Sequence, residues 1–109
     1  ILLHQGETNT NQPTWPGSVK KVYDDILADL GMEPASIPLL AGEVVAADQG
    51  GVCAAHNQIV ATLPQTLPQA LVVPAYGCEA GRDRLHFNCK GQRELGRRYA
   101  ARMLGYLGF

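Results

Sequence analysis

Several features that would mark a specialised class of protein are absent from this sequence. Lys and Arg total nine against ten Asp and Glu, so there is no basic surplus for nucleic acid and no acidic tail. The longest apolar runs span only a few residues, so no transmembrane helix and no membrane partner are predicted. No basic segment precedes the first apolar run, as a signal peptide would require. The 109 residues, 46% of them hydrophobic, suffice for one domain with a modest core.

Cysteine is scarce, and its odd number leaves at least one of the three thiols without a partner in the chain. Cys53 falls in an apolar helical pattern, which predicts a buried, unpaired thiol. Cys78 and Cys89 flank a loop and are predicted to lie close enough to bond, which would give a disulfide if the protein is exported. The expected location is secreted or periplasmic. The sequence between them contains His86 but has no zinc-finger spacing, so no metal site is predicted.

Hydrophobic periodicity divides the chain into alternating strands and helices. Buried strands are predicted near Ile1–His4, Ile37–Ala41 and Ala70–Val73. Helices are predicted over Ser18–Leu30, Gly51–Leu63 and Gly91–Tyr106, with Ser18 as an N-cap and Pro64 closing the second helix. Strand–helix alternation of this kind is typical of βαβ units, so the expected fold is α/β with a parallel sheet.

Three polar clusters follow the three predicted strands, at His4–Asn9, Glu43–Gly51 and Tyr76–Asn88. In a parallel sheet these loops gather beyond the carboxyl ends of the strands, where α/β proteins bind their ligands. The architecture therefore predicts a site at this edge of the sheet.

Asp83 and His86 lie in the last of these loops. A carboxylate three residues before a histidine in a turn can accept the Nδ1 proton and fix the tautomer, which leaves the other ring nitrogen free as a general base. The alternative is a surface Asp–His pair that only caps the following helix.

The His4-Gln5-Gly6-Glu7 cluster offers a second candidate group. Gly6 permits a tight turn, and the Gln5 carboxamide could donate a hydrogen bond to a developing oxyanion. The alternative is a polar loop that only satisfies its own backbone.

Other polar and aromatic residues fit structural roles better than chemical ones. His56 falls on an apolar helix face, which favours a core histidine with one hydrogen bond over a catalytic base. Trp15 and Tyr23 are expected to cover the core, with stacking against a sugar as the alternative. The arginines of the last helix, including Arg93, Arg97 and Arg102, are expected to lie on its solvated face.

The chain resembles the SGNH hydrolases of the sialate O-acetylesterase and carbohydrate esterase family six type, which includes acetyl xylan esterases. Leu3–Asn9 is similar to the family's His-Gln-Gly-Glu-Ser/Thr block, and Pro38–Val44 to its strand ending in Gly-Glu. Asp83–Phe87, followed by the last helix, is similar to its Asp-x-x-His-Phe block. The likeness spans essentially all 109 residues.

The resemblance implies a three-layer α/β/α fold and the removal of acetyl groups from sugars such as acetylated xylan or sialic acid. It identifies His86 as the catalytic base, Asp83 as its orienting carboxylate, and Gln5 as an oxyanion-hole side chain, with Gly6 and Glu7 shaping that loop. A serine of such an enzyme attacks the acetyl ester and water releases acetate, with no metal or other cofactor required.

The family's Gly-Gln-Ser-type nucleophile block has no counterpart here. The two serines are Ser18 at a helix start and Ser36 in a linker, and Ile1 already lies inside an apolar run with no initiating Met. The chain is therefore expected to be the C-terminal portion of one esterase domain, completed by an N-terminal half or second chain that carries the serine. Two alternatives stay open, a non-catalytic carbohydrate-binding remnant and a free-standing α/β module with an exposed sheet edge.

Overall fold

A computed structural model describes residues 1–109 as an α/β fold with helices on both faces of one sheet. The strands are β1 (Leu2–Leu3), β2 (Leu39–Gly42) and β3 (Ala70–Val73). The helices are α1 (Trp15–Leu30), α2 (His56–Val60), α3 (Leu63–Thr66) and α4 (Cys89–Tyr106). Single 3-10 turns occur at Glu7–Asn9, Pro34–Ser36 and Ala47–Gln49.

The three strands form a parallel sheet in the order β1-β2-β3, as predicted. In the register of the sheet, Leu40 of β2 lies between Leu2 of β1 and Leu71 of β3. Because the strands run the same way, all three carboxyl ends reach one edge of the sheet. The loops that contain the candidate residues begin at this edge.

Side chains alternate along β2 and β3 between two separate cores. Leu39 and Ala41 pack with α1, α2 and α3, whereas Leu40 packs with α4 on the opposite face. The first core also buries Trp15 and Tyr23 almost completely. The sheet is therefore the middle layer of three, which confirms the expected α/β/α arrangement.

The predicted helix over Gly51–Leu63 is wrong, because the segment forms turns followed by two short helices. Pro64 does not close a helix but lies in the first turn of α3, where its missing N–H is not needed. At the other end, Gly51 is pressed against the carbonyl of Val45, which a β-carbon on residue 51 would approach to 1.9 Å. This contact fits a loop packed on the segment that follows β2 rather than a helix start.

The predicted cap at Ser18 is also wrong. Helix α1 begins three residues earlier, at Trp15, because Pro16 fits its first turn. Ser18 lies inside that turn, with Oγ 3.5 Å from the carbonyl oxygen of Thr14. Helix α4 begins two residues before the predicted Gly91, because Asn88 caps it by accepting a hydrogen bond from the Gly91 amide at 2.8 Å.

All three cysteines are free, so Cys78 and Cys89 do not form the disulfide that an exported protein would allow. Cys78 is fully buried in the α4-side core, while Cys89 is exposed at the start of α4. Cys53 is unpaired as predicted, but it is half-buried rather than buried. No helix combines the length and apolar character needed to cross a membrane.

Candidate active site

Hydrogen bonds tie together the loops that follow the three strands. His4, directly after β1, donates from Nε2 to the backbone carbonyl of Glu43, directly after β2, at 3.2 Å. The Glu43 carboxylate in turn accepts a hydrogen bond from the backbone amide of Ala75, after β3, at 2.9 Å. The carboxyl edge of the sheet therefore has a fixed arrangement of loops.

The loop after β3 folds back on itself and places Asp83 beside His86. Gly81 donates its amide hydrogen to the His86 carbonyl at 2.8 Å, and Arg84 adopts a left-handed conformation with φ 56°. Asp83 Oδ1 accepts the backbone amides of Leu85 and His86, both at 3.0 Å. Its other oxygen, Oδ2, lies 2.6 Å from His86 Nδ1.

Each member of this pair shifts the pKa of the other in the direction that favours its charged form. The pKa of Asp83 is lowered to about 2, first by the His86 backbone amide, then by the His86 side chain and the Leu85 amide. The pKa of His86 is raised, chiefly by its hydrogen bond to Asp83 and then by the charge of that carboxylate. In neutral His86, Nδ1 donates to Asp83, so Nε2 is the unprotonated nitrogen that can accept a proton.

His86 lines an open cavity of about 450 Å³ between the first loop, the last loop and α4. The lining residues are His4, Glu7, His86, Phe87, Gln92, Leu95, Gly96 and Tyr99. The rings of His4 and Phe87 form one wall, with centroids 5.6 Å apart. The structure therefore brings His86 together with Glu7 from the other candidate cluster.

The Gln5 side chain does not line this cavity. Its Oε1 accepts a hydrogen bond from Trp15 Nε1 at 2.7 Å, and its Nε2 donates to Asn9 Oδ1 at 2.7 Å. Gln5 instead borders a neighbouring apolar groove between β1 and α1. The side chains of Gln5 and His86 therefore border different cavities in this chain, although the sequence predicts both at one edge of the sheet. His4 and Glu7 are the residues of the cluster containing Gln5 that line the cavity with His86.

Gly6 makes the turn between these two residues possible. Its φ of 149° is rarely adopted by residues with a side chain, and its carbonyl accepts the Asn9 amide at 2.8 Å. The Gly6 backbone lies against the ring of His56, which is completely buried. Gln5 and Glu7 thereby lie on either side of a glycine that is packed on the core.

His56, Trp15 and Tyr23 are core residues, as the sequence favoured. Trp15 and Tyr23 are 3% and 1% exposed, so neither can stack on a sugar. Neither ring nitrogen of His56 has a hydrogen-bond partner, in contrast to the single bond expected. Burial lowers the pKa of His56.

The sequence pattern does not single out Gln92 and Tyr99 as cavity residues. Both lie on α4, seven residues apart, and the residue between them at one turn's spacing is Leu95. Side chains three, four and seven residues apart share one helix face. Spacing from the buried Leu95 is therefore the signal that could have identified them. The exposed Arg93, Arg97 and Arg102 lie on the solvated side of α4, as predicted.

Comparison with known protein families gives one match that covers nearly the whole chain. A family model described as carbohydrate esterase, sialic acid-specific acetylesterase, matches residues 1–105. The match includes both the Gln5–Glu7 loop and the Asp83–His86 pair. The chain therefore belongs to the carbohydrate esterase family of sialic acid-specific acetylesterases.

Proposed function

We propose that this chain supplies the general base and part of the oxyanion hole of a serine carbohydrate O-acetylesterase. The observation that carries the proposal is the contact of 2.6 Å between His86 Nδ1 and Asp83 Oδ2 at the carboxyl edge of the sheet. A histidine held in this way presents Nε2 to a hydroxyl nucleophile. The family to which the chain belongs consists of carbohydrate acetylesterases, which supports an acetylated sugar as the substrate class.

In the proposed reaction a serine hydroxyl gives its proton to His86 Nε2 as its oxygen bonds to the acetyl carbon. The carbonyl oxygen becomes an oxyanion. Gln5 borders the groove beside β1 rather than the His86 cavity, and it stabilises the oxyanion from there by donating the N–H that Asn9 does not accept. His86 then returns the proton to the departing sugar oxygen, which leaves an acetyl ester on the serine. Water gives a proton to His86 as its oxygen bonds to the acetyl carbon. His86 then passes that proton to the serine oxygen as acetic acid leaves and ionises to acetate, which restores the serine hydroxyl. Asp83 stays ionised throughout and stabilises the imidazolium.

Neither serine of the chain is placed for this role. Ser18 lies in the first turn of α1 and borders the apolar groove beside β1, not the cavity of His86. Ser36 is exposed in a 3-10 turn and donates to the carbonyl of Glu33 at 2.9 Å. We infer that the nucleophile belongs to a polypeptide segment outside this chain, which makes residues 1–109 the C-terminal portion of an SGNH-type domain.

The free edge of β1 supports this inference. β1 pairs only with β2, and Leu2 on it is 65% exposed. Apolar grooves of about 410 and 510 Å³ lie on the two faces of this strand, one against α1 and one against α4. An uncovered edge with apolar grooves on both faces suits a further strand of the same sheet. We propose that the serine-bearing segment supplies this strand. The proposed substrate of the complete enzyme is an acetylated sugar, and its proposed location is secreted or periplasmic.

The direct test uses the complete enzyme, this chain joined to the segment that bears the serine, with acetylated xylose and 9-O-acetyl sialic acid as substrates. His86→Ala is expected to lower kcat by several orders of magnitude, because the serine loses its base. Arg82→Ala is the matched control, since Arg82 is exposed in the same loop and makes none of the contacts of the pair. Equal activity in His86→Ala and Arg82→Ala would refute the proposal.

A serine-reactive fluorophosphonate locates the nucleophile independently. The label is expected on a serine outside residues 1–109, and the 109-residue chain alone is expected to hydrolyse neither ester. Labelling of Ser18 or Ser36, or hydrolysis by the isolated chain, would contradict the split site. Sugar binding without any hydrolysis by the complete enzyme would instead favour the carbohydrate-binding remnant.

A further inference from the structure

The Gln5 carboxamide is held in one orientation by a chain of side-chain hydrogen bonds. Trp15 Nε1 donates to Gln5 Oε1, Gln5 Nε2 donates to Asn9 Oδ1, and Asn9 Nδ2 donates to Gln12 Oε1 at 2.9 Å. An indole nitrogen can only donate, so the group of Gln5 that faces Trp15 must be its oxygen. The amino group consequently faces away from Trp15, with one N–H bound to Asn9 and the other without an acceptor in this chain.

Trp15 is itself immobilised by the core. It is 3% exposed at the start of α1, and the ring of His56 packs edge-on against it with centroids 4.8 Å apart. His56 is 0% exposed, and its ring also lies under the backbone of Gly6. One pair of buried rings therefore supports both the side chain of Gln5 and the peptide that follows it.

We propose that Trp15 is a positioning residue, whose indole N–H fixes the Gln5 carboxamide so that its amino group can donate to the oxyanion of an acetyl ester. The inference rests on the proposed function, because it assigns a task within the same reaction. Without the indole N–H the carboxamide is free to rotate by half a turn, which would present oxygen where a donor is needed. Preorganised donors stabilise a developing oxyanion without reorganisation during the reaction.

The hydrogen bond can be tested in the 109-residue chain without any activity. Trp15 is the single tryptophan, so the chain gives one indole N–H signal in an NMR spectrum. Gln5→Ala is expected to move this signal upfield, since the indole loses its acceptor. Gln65→Ala, which changes an exposed glutamine of α3 that makes no contact with Trp15, is expected to leave it unchanged. An unmoved signal in Gln5→Ala would overturn the proposal.

The role in positioning is tested by kcat and KM in the complete enzyme. Trp15→Phe keeps the buried ring and removes the N–H, so kcat is expected to fall roughly tenfold, part of the loss seen when an oxyanion donor is deleted. KM is expected to stay within about twofold, because the donor acts on the transition state. In a Gln5→Ala background, Trp15→Phe is expected to cause no further loss, whereas a general structural defect would lower kcat again and overturn the proposal.

Gln5→Glu tests the accepting oxygen and the donating amino group of the carboxamide separately, without a change in the core. The carboxylate still accepts the indole N–H but cannot donate to an oxyanion. The indole signal is therefore expected to stay hydrogen-bonded while kcat falls as far as in Gln5→Ala. If both Gln5 variants are fully active while His86→Ala is inactive, the positioning role of Trp15 is overturned, but the proposed role of His86 as the base still stands. Full activity in His86→Ala would refute the proposed function itself, whereas the indole signal would still report the contact.

Discussion

Gly6 and His56 are in direct contact, and a β-carbon on residue 6 would lie 2.0 Å from His56 Nε2. His56 is completely buried, so its ring cannot move aside without disturbing the core. The loop that contains Gln5 and Glu7 is thus seated on a helix that follows β2. The position of the loop depends on there being no side chain at residue 6.

Gly6→Ala is therefore expected to destabilise the chain by about 2 kcal/mol or more, from the steric overlap together with a φ of 149°. Urea unfolding measures the change in the free energy of unfolding. Gly17→Ala is the control, because a β-carbon there meets nothing within 4 Å. Gly17 also lies in α1, where alanine is expected to be neutral or stabilising by up to about 1 kcal/mol. Similar free energies for the two variants would refute the contact.

The pH dependence of activity is expected to report the Asp83–His86 pair. Only neutral His86 can act as a base, and its pKa is raised above 6.5 by the hydrogen bond and charge of Asp83. The kcat/KM of the complete enzyme should therefore rise with pH through a value above 6.5. In Asp83→Asn both contributions are lost, so this rise should move to lower pH while the maximum falls, because the tautomer is no longer fixed.

Asp48→Asn provides the matched control for that profile. Asp48 is an exposed carboxylate at the same edge of the sheet, and its Oδ2 accepts the Gly77 amide rather than contacting His86. Its replacement is expected to leave the rise of kcat/KM at the same pH as in the wild type. If kcat/KM rises at the same pH in Asp83→Asn and in the wild type, Asp83 does not set the protonation of His86.

The Asp83–His86 contact could be predicted from sequence because it is local. A three-residue turn brings the two groups together whatever the rest of the fold does, and the parallel sheet follows equally from the alternation of strands and helices. The cavity partners of His86 could not be predicted in the same way. Glu7 reaches the cavity because Gly6 is seated on His56, and Gln92 reaches it because Leu95, on the same face of α4, packs into the core. Both contacts depend on long-range packing.

The stability of the chain is expected to depend on the titration of His56. Burial lowers the pKa of this histidine below 6.5, so the unfolded chain binds the proton more readily than the folded one. The contribution of His56 therefore becomes unfavourable as pH falls below 6.5. His56→Phe removes it, so the stability of the variant relative to wild type should increase between pH 7 and pH 5. A difference that does not change with pH would contradict a buried neutral histidine.

The three thiols are expected to react in an order set by their burial. Cys89 is exposed and should react with a disulfide reagent first, followed by the half-buried Cys53. Cys78 is buried, and burial also raises the pKa of its thiol, so it should react only when the chain unfolds. Three reactive thiols in denaturant are expected without reductant. A count of one reactive thiol, with the mass of the chain lower by two hydrogens, would show that Cys78 and Cys89 form a disulfide.

Tyr99 connects α4 to the strand that leads into the Gln5 loop. Its hydroxyl donates to the carbonyl of Leu3, the last residue of β1. A β-carbon on Gly42 would lie 2.2 Å from the hydroxyl oxygen of Tyr99. Burial raises the pKa of Tyr99 to about 12. Because β1 has only two residues and pairs on one side, this hydrogen bond adds to the pairing with β2 in holding its carboxyl end.

Tyr99→Phe should therefore lower the free energy of unfolding by about 1–2 kcal/mol, since the Leu3 carbonyl loses a part-buried partner. It should also accelerate hydrogen exchange of the backbone amides near β1, where the loss of the bond is felt locally. Tyr106→Phe, which changes a 46% exposed tyrosine at the end of α4, is expected to alter neither quantity. If exchange near β1 is equally slow in both variants, β1 is held by its pairing with β2 alone, and Tyr99 does not anchor the Gln5 loop.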